Sequence, residues 1–252
     1  MLERPPARFT ILYEDKDILV VDKPSGYLVL PDRYDASLPN LVRVLSVRRG
    51  KVFVVHRIDK ETSGLVLFAK HEVSHAALSQ QFEHRLVQKR YYAITVGALP
   101  SDEDVIDAPL VQSDRDEGLM KVDVKRGKEA RTRYQATEVF KGYSFVELHP
   151  ETGRTHQIRV HLQHAGSPIL ADPLYGDGKP FYLSGVKTHY KGLEEERPLL
   201  ARTALHAVAL SFVHPGTRER VQFGAELPRD MEAVLKNLRR FCRVVSFASN
   251  GK

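Results

Sequence analysis

The sequence contains almost no cysteine and no long apolar segment, and both absences limit what the chain can be. Cys242 is the only cysteine among 252 residues, so no disulfide can form within the chain and a reducing compartment is expected. No apolar run approaches the roughly 18–20 residues that cross a bilayer, and the opening MLERPPARF lacks the apolar stretch of a signal peptide. We therefore expect a cytoplasmic protein that does not associate with membranes.

The overall charge is basic, while the rest of the composition is ordinary for a globular protein. The formal net charge is +6 and the sequence pI is about 9.3, a balance that favours polyanionic partners such as nucleic acid. A chain of this length can bury a proper core. No repeat, low-complexity tract or shift in composition marks a boundary. We expect a flexible arm at residues 1–9 and a single α+β domain over residues 10–252.

Apolar patterning predicts a mixture of short strands and helices. Alternating or continuous apolar runs predict strands, and they lie at residues 10–13, 18–22, 52–55, 65–69, 89–99, 129–140 and 143–150. Apolar residues with helical spacing predict four helices. They lie after Pro39-Asn40, in EVSHAALSQQFEHRLV, in TGRTHQIRVHLQHAG and after Leu227-Pro228. Two segments are predicted as loops, namely the acidic SDEDVID and an insertion at residues 177–200 that has no sustained period.

Two hydrolytic signatures are incomplete. HEVSH, residues 71–75, places two histidines four apart beside a glutamate, as zinc proteases do, but a third ligand is missing where Leu78 and Gln81 stand, and residues near 95 contain no acid. Ser63 lacks the paired glycines of a nucleophile elbow. We therefore interpret HEVSH as an ordinary helix surface and expect neither a metal site nor a serine nucleophile.

The stretch HRIDKETSG places unusual charge between two apolar runs. Arg57 and Lys60 flank Asp59, and neighbouring cations favour the ionised carboxylate. Such a group can act as a nucleophile or stabilise an electron-poor carbon, although a surface turn with a routine ion pair gives the same pattern. Hydroxyls in the following TSG, with Gly64 free to adopt positive φ, indicate a shaped loop.

A second cluster places five basic side chains within eleven positions. Its members are Arg154, His156, Arg159, His161 and His164. With a helix beginning near Thr155, Arg159 lies about one turn inside it. There it can hold a carboxylate through paired hydrogen bonds or grip a phosphate; a basic helix face on the solvent is the alternative. In KRYYAITV, strand alternation allows at most one of Tyr91 and Tyr92 to share a pocket with these clusters.

Six segments together resemble the RluA-type family of RNA pseudouridine synthases. They are DKPSGYLVLP (22–31), HRIDKETSGLVLFAK (56–70), QKRYYAITVG (88–97), GKEARTRYQ (127–135), PETGRTHQIRVHLQHAGSPILADPLYG (150–176) and ALHAVALSFVHP (204–215). In order, they cover most of residues 10–240. The resemblance implies a mixed, mostly antiparallel sheet flanked by helices and loops.

The resemblance also implies roles for individual residues. Asp59 matches the single catalytic carboxylate, Tyr91 matches a tyrosine under the target base, and Arg159 matches an arginine that ion-pairs with the aspartate. Leu205 matches an apolar residue lining the pocket, and Arg57 an arginine that helps to displace the target nucleotide. Further candidates for binding the substrate are Arg154, His156, Lys128 and Arg131.

The activity implied is the isomerisation of a uridine in structured RNA, without metal or cofactor, by a monomer. Large-subunit ribosomal RNA is the first choice of substrate and transfer RNA the alternative; a non-catalytic RNA chaperone is a more distant rival. The core begins by about Thr10, so the chain resembles members without an N-terminal S4-type module, and the core must supply its own RNA surface. The candidates are Lys121, Lys125, Arg126, Lys128, Arg131 and the insertion KPFYLSGVKTHYK.

Overall fold

The computed structural model describes residues 9–32, 34–35, 37–114, 118–192 and 195–242, so the predicted arm, apart from Phe9, lies outside the described residues. The helices are α1 (Leu41–Arg49), α2 (Glu72–Glu83), α3 (Gln157–His164) and α4 (Arg229–Phe241). The strands are β1 (Thr10–Glu14), β2 (Ile18–Lys23), β3 (Phe53–Val54), β4 (Ser63–Ala69), β5 (Gln88–Val96), β6 (Glu103–Asp107), β7 (Leu110–Gln112), β8 (Met120–Val122), β9 (Arg131–Phe140), β10 (Tyr143–Pro150), β11 (Leu205–Val213) and β12 (Arg220–Gly224).

The chain forms two compact units. Unit 1 takes the chain as far as Arg90 and resumes at His206–Glu226. Within it, β2 pairs antiparallel with both β1 and β4, β3 also pairs with β4, and β11 joins β4 in parallel and β12 antiparallel. All of β4 and most of β2 are buried. Their unbroken apolar runs, rather than alternating ones, are typical of strands covered on both faces.

Unit 2 comprises Tyr91–Leu205 and, at the C-terminal end of the described residues, 227–242. Its sheet has the order β5-β10-β9-β6, antiparallel throughout, and β7 and β8 form a separate hairpin. The helical spacing after Leu227-Pro228 predicts a buried stripe of five residues, Met231, Val234, Leu235, Leu238 and Cys242. The first four are in the core of this unit, each at most 2% exposed, and Cys242 packs against that core, partly buried. The fold class is α+β with a mixed, mostly antiparallel sheet, as predicted.

Five strands differ from the sequence-based expectation: β7, β8, β11 and β12 lie outside the predicted strands, and β6 lies in a predicted loop. Residues 103–107 of the acidic SDEDVID form strand β6, which pairs with β9 from Glu103 opposite Gln135 to Asp107 opposite Arg131. The prediction of a loop was wrong because the edge of β9 supplies the backbone partners that residue preferences do not encode. The acidic side chains remain largely exposed, as suits an edge strand.

The insertion at residues 177–200 is a loop closed at its base. Phe181 and Leu200 form an isolated antiparallel bridge, with the Phe181 N–H donating to the Leu200 carbonyl at 2.8 Å. In the described part of this segment the regular structure is a single 3₁₀ turn, Leu183–Gly185. Nowhere in the described residues is there a helix with the length and apolar content needed to cross a membrane.

Candidate active site

A fully buried lysine, Lys23, supports the loop that carries Asp59, residues 56–62. Lys23 Nζ donates to the carbonyls of Pro24 (3.1 Å), Tyr27 (2.8 Å) and Lys60 (3.0 Å), which gives each ammonium proton an acceptor. The Gly26 N–H donates to the same Lys60 carbonyl at 2.9 Å. The segment DKPSG therefore fixes the backbone directly after Asp59. The sequence analysis did not single out Lys23, although a lysine ending a buried apolar strand was a signal.

Within this loop one side chain is buried and its neighbours are exposed or half-buried. Ile58 is buried at 7% exposure, Arg57 and Lys60 are exposed, and Asp59 is half-buried. The Asp59 carbonyl accepts the Thr62 N–H at 3.2 Å, which closes a tight turn. The structure thus supports the prediction of a shaped loop.

The downstream end of the loop is fixed where β4 meets β11. Gly64 has φ of +110°, and a Cβ there would lie 2.3 Å from the Ala207 carbonyl oxygen, so only glycine fits. This confirms the predicted positive φ. Beside it, Ser63 Oγ and His206 Nδ1 lie 2.9 Å apart, and both residues are buried.

His56 anchors the upstream end as a neutral ring. Its Nε2 accepts the Leu67 N–H at 2.9 Å, and the ring stacks on Phe82 with centroids 4.8 Å apart. Burial, and secondarily the positive charge of Lys89, lowers the pKa of His56 to about 3. A ring that accepts a backbone N–H through Nε2 must be uncharged, in agreement with this direction.

This histidine should make the protein less stable in acid. The unfolded chain takes up a proton at His56 below about pH 6.5, while the folded state resists it down to about pH 3, so stability is lost as the pH falls. In urea unfolding at pH 7.5 and pH 5.0, wild type should lose about 2 kcal/mol more than His56→Gln. His84→Gln, which changes an exposed histidine, is the control and should behave as wild type. An equal loss in wild type and His56→Gln would contradict the assignment.

In unit 2, Arg159 forms a buried bidentate ion pair. Its Nε and Nη2 lie 2.6 and 2.7 Å from the two oxygens of Asp172, and the side chains are 3% and 0% exposed. Asp172 Oδ1 also accepts the N–H groups of Leu174 and Tyr175. Burial acts to raise the pKa of Asp172, but the bonds and charge of Arg159 outweigh it and the pKa is lowered. Arg159 is therefore a rigidly held cation.

Tyr175 brings His156 and Arg159 together. The guanidinium carbon of Arg159 lies 5.0 Å from the centre of the Tyr175 ring. Tyr175 Oη accepts the Met120 N–H at 2.9 Å and lies within hydrogen-bonding distance of His156 Nδ1, 2.8 Å away. His156 adopts a left-handed conformation, φ 53°, at the start of α3, a costly conformation for a non-glycine residue. Asp172 and Tyr175 were missed as site residues, although both lie in the segment ADPLYG that carried the resemblance.

A glutamine links the other two predicted arginines. Gln157 donates through Nε2 to the Arg131 carbonyl at 2.9 Å and accepts the Arg154 N–H at 3.0 Å. Arg154 Nε donates to the Glu129 carbonyl at 2.9 Å. The guanidinium of Arg131 lies within ion-pair distance of two acids, Asp107 at 3.2 Å and Glu151 at 3.5 Å.

Much of the basic surface predicted around residues 121–131 is already paired within the protein. Lys121 and Arg126 both contact Asp114, at 2.8 and 2.7 Å, and Arg126 also contacts Asp123 at 3.0 Å. With Arg131 paired as well, the exposed cations Lys125 and Lys128 are the better candidates for phosphate contacts.

Tyr91 and Leu205 belong to unit 2 and contact its core. Tyr91 lies opposite Leu148 in the β5–β10 pairing, and Tyr92 opposite Glu147. Both tyrosines are half-buried, and the Tyr92 ring lies 4.9 Å from that of Phe145. Leu205 is 3% exposed and part of the same core. Arg57 and Asp59 belong to unit 1, so the predicted pairing of Asp59 with Arg159 stays a prediction.

The histidines of HEVSH have different partners. His71 caps α2 and lies 2.8 Å from Asp17 Oδ1 through Nε2, whereas His75 Nε2 lies 3.2 Å from the Val54 carbonyl oxygen. Among the described residues, the three potential ligands that converge are Asp15, Asp17 and His214, and this group includes neither of the two.

Residues 17–164 match the family described as RNA pseudouridylate synthase, the class that the six segments of the sequence resemble. The chain belongs to this family. Among curated relatives, an uncharacterized RNA pseudouridine synthase YlyB of Bacillus subtilis is 38% identical, covering 93% of this chain and 74% of the relative. The ribosomal large subunit pseudouridine synthase D of Zymomonas mobilis is 40% identical, covering 90% and 72%.

Further matches indicate the RluA-type group in particular. The dual-specificity RNA pseudouridine synthase RluA of Vibrio vulnificus is 38% identical over 81% of this chain and 78% of its own. Among solved structures, human RNA pseudouridylate synthase domain containing 4 aligns with a TM-score of 0.68 at 29% identity, covering 91% and 92% of the two chains. The chain is thus an RluA-type RNA pseudouridine synthase, an isomerase that acts on RNA.

Proposed function

We propose that the enzyme isomerises a specific uridine of large-subunit ribosomal RNA in the cytoplasm, as a monomer. The observation that carries the choice of RNA is the 40% identity, over 90% of this chain, to a relative named ribosomal large subunit pseudouridine synthase D. A second relative of that name, from Xanthomonas campestris, is 39% identical over 91% of this chain. The net charge of +6 suits a polyanionic substrate.

The proposed chemistry centres on the Asp59 carboxylate. Pseudouridine formation breaks the bond from uracil N1 to ribose C1′ and joins C1′ to C5; N1 gains a proton and C5 loses one, so nothing is oxidised or reduced. Asp59 either attacks C1′ as the base departs or removes a ribose proton to assist departure. The half-buried loop position and the Lys23 anchor beneath it support a carboxylate held in a fixed direction.

Other residues are proposed to bind and orient the nucleotide. The target base must leave the RNA stack before the C1′ atom of its ribose is accessible. Arg57 is exposed and lies two positions from Asp59, so its side chain is proposed to fill the space that the base leaves in the stack. Tyr91 is proposed to stack on the base and to help remove the C5 proton. Arg159 is proposed as the cation that keeps Asp59 ionised, and Leu205 as part of the pocket wall. His156 and Arg154, whose hydrogen bonds hold them near α3, are proposed to contact the substrate.

Mapping pseudouridines in cells tests the substrate. Total RNA from strains with and without the gene would be treated with carbodiimide and analysed by primer extension. We expect one or more stops in large-subunit ribosomal RNA to disappear on deletion and to return with wild type but not with Asp59→Asn. A loss confined to transfer RNA would select the alternative substrate. Rescue of a deletion growth defect by Asp59→Asn would favour the chaperone rival, and a dimer mass in light scattering would overturn the monomer.

A further inference from the structure

Strands β4 and β11 meet over a short parallel ladder beside the Asp59 loop. The ladder has two residue pairs, His206 opposite Ser63 and Ala207 opposite Gly64. Parallel pairing is slightly weaker per residue than antiparallel pairing, so two pairs alone specify the register of β11 against β4 weakly. A slip of one residue would turn the side chains of β11 to the opposite face of the sheet. Further contacts are therefore needed to fix the register here.

Two features of the side chains supply those contacts. Ser63 Oγ and His206 Nδ1 lie 2.9 Å apart, and the two residues are 4% and 0% exposed. Next to them, the absence of a side chain at Gly64 lets the Ala207 carbonyl approach closely. A hydrogen bond that is shielded from water is strong as well as directional. The bond between Ser63 and His206 therefore holds the beginnings of both strands in a fixed relation.

This bond lies at the downstream end of the turn that carries Asp59. The Asp59 carbonyl accepts the Thr62 N–H at 3.2 Å, and Thr62 is 2% exposed. Ser63 follows directly and is bonded to His206. A shift of Ser63 would move Thr62 and, through the closed turn, the backbone of Asp59. The direction of the Asp59 carboxylate therefore depends on where Ser63 is held.

Packing alone does not account for a serine–histidine pair at this position. Strand β4 is buried along its whole length, and after Ser63 its residues are all apolar. An apolar pair of similar size would fill the same space at little cost, since replacing both partners of a buried hydrogen bond can be nearly neutral for stability. An apolar pair does not define the distance and angle between two atoms, as a hydrogen bond does. The polar pair is therefore better explained by a need for fixed geometry beside Asp59.

We propose that Ser63 and His206 are positioning residues, whose hydrogen bond fixes the direction of the Asp59 carboxylate toward the ribose of the target uridine. This inference rests on the proposed catalytic role of Asp59. A displacement of about 1 Å in a catalytic arrangement can cost about 100-fold in rate, so the bond contributes to turnover. It contributes little to RNA binding, because both side chains are buried and do not touch the substrate.

The test compares two amides at position 206. Asparagine places a polar atom near the position of the histidine Nδ1, whereas glutamine places one near Nε2, so only His206→Asn keeps a partner for Ser63 Oγ. We expect His206→Gln and Ser63→Ala each to lower the single-turnover rate about 100-fold. The double variant should be no slower than either, because both changes remove the same bond. His206→Asn should be at least about tenfold faster than His206→Gln.

The assay uses RNA from a strain that lacks the gene, grown with uridine tritiated at C5. Because C5 loses its hydrogen when pseudouridine forms, the reaction releases tritium, and this RNA contains the natural target whichever RNA that is. Enzyme in excess over RNA gives the rate at saturation and the enzyme concentration that reaches half of it. The half-saturating concentration should change by less than about threefold in all these variants, because the bond acts on the rate and not on binding.

His214→Gln is the matched control for the loss of a buried histidine. His214 directly follows β11 and is 3% exposed, and its Nδ1 accepts the N–H groups of Gly216 and Thr217. Losing these bonds should lower the Tm about as much as His206→Gln does, by roughly 3–8 °C, while the rate stays close to that of wild type. An equal loss of rate in His206→Asn and His206→Gln, or in His214→Gln, would overturn the inference.

The same assay on Asp59→Asn separates this inference from the proposed mechanism. Tritium release by Asp59→Asn at the rate of wild type would overturn the catalytic role of Asp59 and the positioning together. An inactive Asp59→Asn beside a fully active His206→Gln would overturn the positioning alone.

Discussion

Asp59→Asn is expected to abolish pseudouridine formation while leaving the fold and the RNA affinity intact. The amide has nearly the same shape as the carboxylate, but it is a poor nucleophile and a poor base, so neither proposed role survives. Removing a nucleophile commonly lowers turnover by more than about 10⁴-fold. Because Ile58, Lys23 and Gly26 hold the loop, the substitution should not move the backbone.

The measurement is single-turnover formation of pseudouridine in an unmodified transcript, with Tm and RNA affinity recorded in parallel. Glu61→Gln is the matched control, since it makes the same chemical change two positions along the same loop. Glu61 contacts Ser25 Oγ at 3.4 Å, a weak bond whose loss should not affect the rate. Turnover of Asp59→Asn near that of wild type would remove Asp59 from the mechanism.

Arg159→Lys is expected to slow the reaction about 100-fold or more and to lower the stability by about 2 kcal/mol. A lysine keeps the charge but cannot reproduce the planar fork that meets both oxygens of Asp172. Part of a buried, fully hydrogen-bonded pair would thus be left unsatisfied. For a chain of this size the Tm should fall by roughly 4–8 °C.

Arg239→Lys is the control for losing a bidentate arginine–carboxylate pair. Arg239 makes a bidentate pair with Glu138, but on an exposed surface of unit 2, where such pairs contribute little to stability. Its rate and Tm should be close to those of wild type. If Arg159→Lys loses stability without any loss of rate, the ion-pairing role passes to Arg154.

The sequence predicts those elements whose signal lies within a few neighbouring residues. The apolar runs of β2 and β4 and the stripe of α4 follow from hydrophobic pattern alone, because burial is what that pattern reports. Strand β6 does not, because its partner, β9, lies some thirty residues further along the chain. The role of Lys23 likewise cannot be predicted from neighbouring residues, because it depends on the Lys60 carbonyl, 37 positions away.

The ion-pair partners of charged residues also cannot be predicted from the sequence. Lys121, Arg126 and Arg131 are a basic cluster in the sequence, but the fold gives each of them a carboxylate, and only coordinates reveal such partners. Asp172 carries no distinguishing pattern of its own, although it is the acid that fixes Arg159. Predicting a site from charge alone therefore overcounts cations whose counter-ions come from elsewhere in the chain.

The contact between Ser63 and His206 has a consequence for the newly synthesised protein. These residues are 143 positions apart, and Gly64 packs against Ala207 at the same place. On a ribosome adding about 5–20 residues per second, His206 is synthesised roughly 7–29 s after Ser63, and until then the downstream end of the Asp59 loop lacks this contact. The nascent chain should therefore be unable to modify RNA until His206 has been synthesised, 147 residues after Asp59.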